Sequence, residues 1–150
     1  MLDTETKKLL KSFFNSTDQL IDKKIIRSSK YTADVAEYLT EKIYDITLCE
    51  NQREIGYDGV DKQNKKYQVK INNSSQKTNQ DIGNIEHYNY LILMITSNSR
   101  LFDKRFNEYF ITVYKVENKF LKDRKYIAKT YIHNIEPDYC ISNKFEIIKN

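Results

Sequence analysis

The sequence predicts a single mixed α/β domain spanning residues 1–150, and three observations carry that expectation. Apolar residues recur every three to four positions up to Tyr44, the spacing of helices that bury one stripe. The pattern then shortens toward the alternation of strands. Tyr88 to Ile95 is nearly all apolar and of strand length, the mark of a strand covered on both faces.

Between Leu2 and Arg27 the apolar positions are Leu9, Leu10, Phe13 and Phe14, then Leu20, Ile21 and Ile25. Asn15-Ser16-Thr17-Asp18 separates them and offers side-chain acceptors to free amide hydrogens, so two helices are expected, one ending and one capped there. Thr32 is expected to cap a third helix, Ala33 to Tyr44, with Val35, Leu39 and Ile43 on its buried stripe. Asp45 to Cys49 reads as a short strand and Asn51 to Glu54 as a polar turn. Tyr57 to Val60 and Lys66 to Ile71 read as antiparallel strands joined through the polar stretch Asp61 to Lys65. Asn72 to Gln80 has no apolar residue and reads as a loop, followed by a short helix around Gln80 to His87. The apolar run ending at Ile95 is expected at the centre of the sheet, with Phe110 to Val116 as a further strand.

Composition removes several classes. With 39% hydrophobic residues the 150-residue chain can bury roughly two-thirds of its unfolded surface, which excludes wholesale disorder. No apolar run approaches the roughly 20 residues of a membrane helix, and Met1 to Glu5 lacks a signal-peptide pattern. A soluble, intracellular, cytoplasmic protein is therefore expected. Cys49 and Cys140 stand apart, form no CxxC pattern and read as reduced core thiols. Lys and Arg number 25 against 21 Asp and Glu, a net charge of +4 that permits a nucleic-acid partner. His87 and His133 have no motif around them and read as structural or surface residues.

Chemistry concentrates in Gly56-Tyr57-Asp58-Gly59-Val60-Asp61 and Tyr67-Gln68-Val69-Lys70. Alternate strand residues share a face, so Gln68 and Lys70 project together while Val69 turns inward. If the hairpin brings Asp58 alongside, a carboxylate, an amide oxygen and an ammonium converge, a set costly to bury idly but suited to one divalent cation and one water. Asp61, three residues on, is a rival that faces the other way in a regular strand. The plain alternative makes Asp58 a turn residue and Gln68 with Lys70 a solvent-facing pair.

These two stretches resemble the PD-(D/E)xK phosphodiesterase superfamily of restriction and repair nucleases, and most closely the Gln-x-Lys variant of Mrr-like restriction nucleases. The resemblance covers about residues 32 to 95 in the family's αβββ(α)β order and implies a restriction-endonuclease-like fold with N-terminal helices. It implies that Asp58, Gln68 and Lys70 occupy the catalytic positions and that Asp58, the Gln68 amide and the Val69 carbonyl hold Mg²⁺, for which Mn²⁺ can substitute. Lys70 then orients the attacking water and stabilises developing charge. Relatives often supply a Glu from the preceding helix, matched by Glu37, although Glu37 lies roughly 150° from the Val35/Leu39/Ile43 stripe and could equally sit in water. Two departures stand out: no proline precedes Asp58, and Gln68 replaces the usual acid, which removes one negative charge.

The implied activity is phosphodiester cleavage of DNA, in restriction, junction resolution or repair, with RNA as another substrate. Double-strand scission by so small a chain would call for a homodimer. The alternative is a nuclease-fold module that no longer cuts and binds nucleic acid or a protein partner. Residues 51–80 carry six basic and three acidic side chains and residues 115–130 six and two. Lys62, Lys65, Lys66 and Lys77 are the expected phosphate contacts around the site, although a solvated surface would give the same counts. The tyrosines are expected mainly to pack the sheet.

Overall fold

The computed structural model describes residues 1–25, 31–50 and 56–150. The expected turn at Asn51 to Glu54 and the last two residues of the stretch from Leu2 to Arg27 therefore lie outside the described residues. The architecture is mixed α/β, and no helix among the described residues is long and apolar enough to cross a membrane.

Helix α1 runs unbroken over Thr4–Asp22, which corrects the expected break at Asn15 to Asp18. Its N-cap is Asp3, whose carboxylate accepts the Thr6 N–H at 2.8 Å. Thr17 is buried inside the helix, and Asp18 accepts from the side-chain amide of Asn98 at 2.7 Å, so this polar tetrad serves tertiary contacts rather than a cap. Helix α2, Thr32–Tyr44, begins one residue earlier than expected, with Tyr31 rather than Thr32 at the cap position. It ends where Asp45 turns into the left-handed region, its N–H still donating to Glu41.

Strands β1 (Thr47–Leu48), β2 (Gly59–Val60) and β3 (Lys66–Asn72) form an antiparallel meander. The turn between β2 and β3 is tied by Asp61, which accepts the Gln63 and Lys65 N–H groups at 2.9 Å each. The connection after β3 holds a short strand, β4 (Asn79–Asp81), and one 3₁₀ turn over Ile85–His87, in place of the helix expected from Gln80. β5 (Tyr90–Thr96) then pairs parallel with β3 and antiparallel with β6 (Ile111–Glu117). β7 (Tyr126–Ala128) pairs with β4 as a separate two-stranded ribbon, a short helix α3 (Lys129–Ile132) follows, and β8 (Tyr139–Ile141) and β9 (Ile147–Lys149) complete the main sheet.

The main sheet has the order β1-β2-β3-β5-β6-β8-β9, so the apolar run is its central strand, as expected. Alternation along β5 explains the absence of polar residues: Ile92 and Met94 pack into one core with Phe14, Ala36 and Leu39 of the helices. Leu91, Leu93 and Ile95 pack into a second core with Ile82, Leu121, Ile127 and Ile132. Cys140 is buried and Cys49 half-buried, both as free thiols.

Candidate functional site

The candidate site sits where β2 parts from β3. Asp58 lies just before β2; its N–H donates to the Tyr67 carbonyl at 2.7 Å and its carbonyl accepts the Cys49 N–H at 2.9 Å. The β2–β3 register ends at Gly59↔Tyr67, and the next β3 amide facing that edge, Val69, donates to Asp58 Oδ2 at 2.6 Å instead. A strand residue turns its N–H and C=O to the same edge, so the Val69 carbonyl also faces the gap. Gln68 Nε2 donates to the same Oδ2 at 2.6 Å. Among the described residues Oδ1 has no donor.

Gln68 and Lys70 share one face of β3, opposite Leu91 and Leu93, and Val69 is buried in the other core. Lys70 lies close enough for its charge to act on Asp58. The structure thus brings Asp58 and Gln68 into contact and places Lys70 on the same face of β3 as Gln68. Burial pushes the Asp58 carboxyl above its ordinary range, and the Val69 N–H and the Lys70 ammonium only partly oppose that shift.

Glu37 is buried on α2, on the helical side of the sheet, rather than in water. The Cys49 thiol is raised first by burial and then by the charges of Asp58 and Glu37. The thiol thus feels both carboxylates, a neighbour that an isolated cysteine in the sequence does not announce. Asp61 is no rival to Asp58. It holds the turn and accepts from the Tyr67 hydroxyl at 3.2 Å. Burial is outweighed there by the Lys65 and Gln63 N–H donors, and its carboxyl stays below the usual range.

The four lysines expected to contact phosphate occupy different places. Lys62 is ion-paired with Asp45, Lys65 is exposed at the turn, and Lys66 opens β3 with its ammonium 4.9 Å over the Tyr57 ring. Lys77 is exposed in the loop after β3. Two neighbours escaped sequence reasoning. Gly83 sits beside Gln68, where a Cβ would lie 4.0 Å from Oε1. His87 packs against Gly56, where a Cβ would come within 2.3 Å of Nδ1. Nothing in the sequence links Gly56 to a histidine so far along the chain.

A hard divalent cation suits these donors in type: the carboxylates of Asp58 and Glu37, the Gln68 amide oxygen and the Val69 carbonyl. The desolvated Asp58 carboxylate would gain from added positive charge. Two features limit the set. Gln68 must turn its oxygen, not its nitrogen, toward the ion, and among the described residues no three His, Cys, Asp or Glu side chains gather to hold a metal. A scan against protein-family models and a search of the curated proteins each return no match to this chain.

Proposed function

We propose that the chain is a magnesium-dependent endonuclease that hydrolyses phosphodiester bonds in DNA. The observation that carries this reading is the contact of Asp58 with Gln68 at the β2–β3 fork, two 2.6 Å bonds fixing the carboxylate and Lys70 standing on the same strand face as Gln68. The succession α2, β1, β2, β3, then β5 parallel to β3, supports a restriction-endonuclease-like core. The link between β3 and β5 is a ribbon strand and a 3₁₀ turn where that core expects a helix.

In this reading Asp58, the Gln68 amide and the Val69 carbonyl hold the cation, with Glu37 contributing from α2. When bound, the cation polarises the scissile phosphate and lowers the pKa of the attacking water. The Val69 N–H keeps Asp58 in place. Lys70 stabilises the negative charge that builds on the phosphate and orients the water. The second reading, a nuclease-fold module that binds without cutting, is favoured by one observation: Asp58 Oδ2 is already satisfied by two N–H donors, one from a neutral glutamine.

Incubation of the protein with supercoiled, linear and branched DNA and Mg²⁺ or Mn²⁺ separates them. Cleavage that disappears in both Asp58→Ala and Lys70→Ala supports catalysis. Binding without cleavage, retained in both variants, supports the module.

A further inference from the structure

Residues 115–130 carry six basic side chains, none of which belongs to the candidate site. The fold turns this segment into a ridge between two surface clefts. One, of about 590 Å³, runs between the 81–86 loop and residues 122–126; the other, of about 710 Å³, lies between residues 115–124 and 130–136. Arg124 lines both. The β4–β7 pairing and an Ile82 N–H bond to the Lys125 carbonyl brace the first cleft. Its wall includes Gly83, the neighbour of Gln68, so the cleft adjoins the candidate site.

The ridge combines cations outside ion pairs with aromatic rings in solvent, and Asp123 lies among them. Lys122, Arg124 and Lys125 form no ion pair among the described residues. Phe120 is 62% and Tyr126 50% exposed, high values for rings of that size. Cations already sit against two rings of this surface, Lys119 at 5.1 Å from the Phe120 centroid and Arg124 at 4.6 Å from that of Tyr131. Unpaired cations alternating with accessible rings match a phosphate chain whose bases are free to stack. A duplex keeps its bases inside and offers nothing to the rings. Asp81 and Glu86 on the facing wall of the first cleft, with Asp123 on the ridge, keep a phosphate backbone to the side of Lys122, Arg124 and Lys125 and disfavour a second backbone beside it.

We infer that this ridge binds an unpaired nucleic-acid strand, with phosphates on Lys122, Arg124 and Lys125 and bases stacked on Tyr126 and Phe120. The strand then passes Gly83 toward Asp58 and Lys70. The direction of the strand rests on the nuclease reading; the binding does not.

The test is fluorescence anisotropy of labelled oligonucleotides of about 12 nucleotides, as single-stranded DNA, single-stranded RNA and the matching DNA duplex, in EDTA so that nothing is cut. Single strands of either kind should bind more tightly than the duplex. Phe120→Ala and Tyr126→Ala should each weaken binding by about five-fold or more, with Tyr126→Phe restoring it. Both rings are exposed, so unchanged melting temperatures show that the variants remain folded. Equal binding of duplex and single strand, unaltered binding by both alanine variants, or no binding by the parent overturns the inference. A parent that binds single strands but cuts nothing in Mg²⁺ overturns the nuclease reading alone. A parent that cuts while the ring variants bind unchanged overturns the ridge alone.

Discussion

Gly56 and Gly83 form a matched pair on which the geometry of the site can be tested. Both have positive φ, +70° and +68°, where a Cβ costs about 1–2 kcal/mol. They differ in what that Cβ meets. At Gly83 the nearest atom is Gln68 Oε1 at 4.0 Å, an ordinary contact. At Gly56 the Cβ would lie 2.3 Å from His87 Nδ1, 2.8 Å from Cγ and 2.9 Å from Cβ. Because the His87 Cβ is itself too close, ring rotation cannot clear the clash and backbone must shift, at a cost of about 1–3 kcal/mol more. Gly83→Ala should therefore lower Tm by roughly 2–8 °C and Gly56→Ala by roughly 4–20 °C, at 2–4 °C per kcal/mol for a chain of this size. Thermal melts followed by circular dichroism read both values. Cleavage assays on the same samples, below either melting temperature, should show the larger loss for Gly56→Ala, which stands two residues before Asp58. Equal melting temperatures for the two variants would refute the packing of His87 on Gly56.

Three further outcomes follow from charged groups. Burial raises the Asp58 carboxyl, so its stabilising contribution is complete below the unfolded pKa and is lost as pH rises through the higher folded value. Asp58→Asn should thus melt above the parent near pH 7 and with it near pH 3, read by thermal melts at both. The Lys115 ammonium lies 4.2, 5.1 and 5.2 Å from the ring centroids of Tyr90, Tyr67 and Tyr44 and donates to the Tyr67 hydroxyl at 3.1 Å. Lys115→Met should cost about 1–2 kcal/mol in urea unfolding. At Asp103, burial is outweighed by the bonds from Arg105, which hold the carboxyl below its usual range, so its contribution is present at neutral pH and lost as pH falls through the folded value. Asp103→Ala should cost about 1–3 kcal/mol at neutral pH and progressively less in acid, measured by denaturation across that range.

The legible parts of the fold are those that burial dictates. Tyr90 to Thr96 had one place to go, the sheet centre, because both of its faces need cover. Strand parity likewise placed Gln68 and Lys70 on one face whatever surrounded them. What failed was local polar signal. Thr17 and Asp18 read as a cap, yet Asp18 is held by Asn98, from the far side of the chain. Asn79-Gln80-Asp81 has no strand pattern and is extended only because Tyr126 to Ala128 pairs with it. On α2 the buried face holds Ala36, Glu37, Leu39 and Thr40, and Val35, the expected centre, is only half-buried.

The glutamine at position 68 is the residue on which the chemistry turns, and its hydrogen bond shows why. An amide can donate to Asp58, so the fork holds together without a cation; a glutamate there would set a second carboxylate against the first. Two such charges about 4 Å apart repel by about 4 kcal/mol at an effective dielectric constant of about 20, a ceiling that shared protonation lowers. Gln68→Glu should therefore lower Tm in EDTA at neutral pH and recover as pH falls and the pair takes up a proton. If Asp58, position 68 and the Val69 carbonyl frame a cation site, Mg²⁺ should recover it as well, by about 2.7 kcal/mol at one hundred times the dissociation constant. The recovery should exceed that of the parent, whose glutamine adds no charge for the ion to neutralise. A Gln68→Glu protein that melts at the same temperature with Mg²⁺ as with EDTA, yet below the parent, would keep the Asp58–Gln68 contact and remove the cation from this fork.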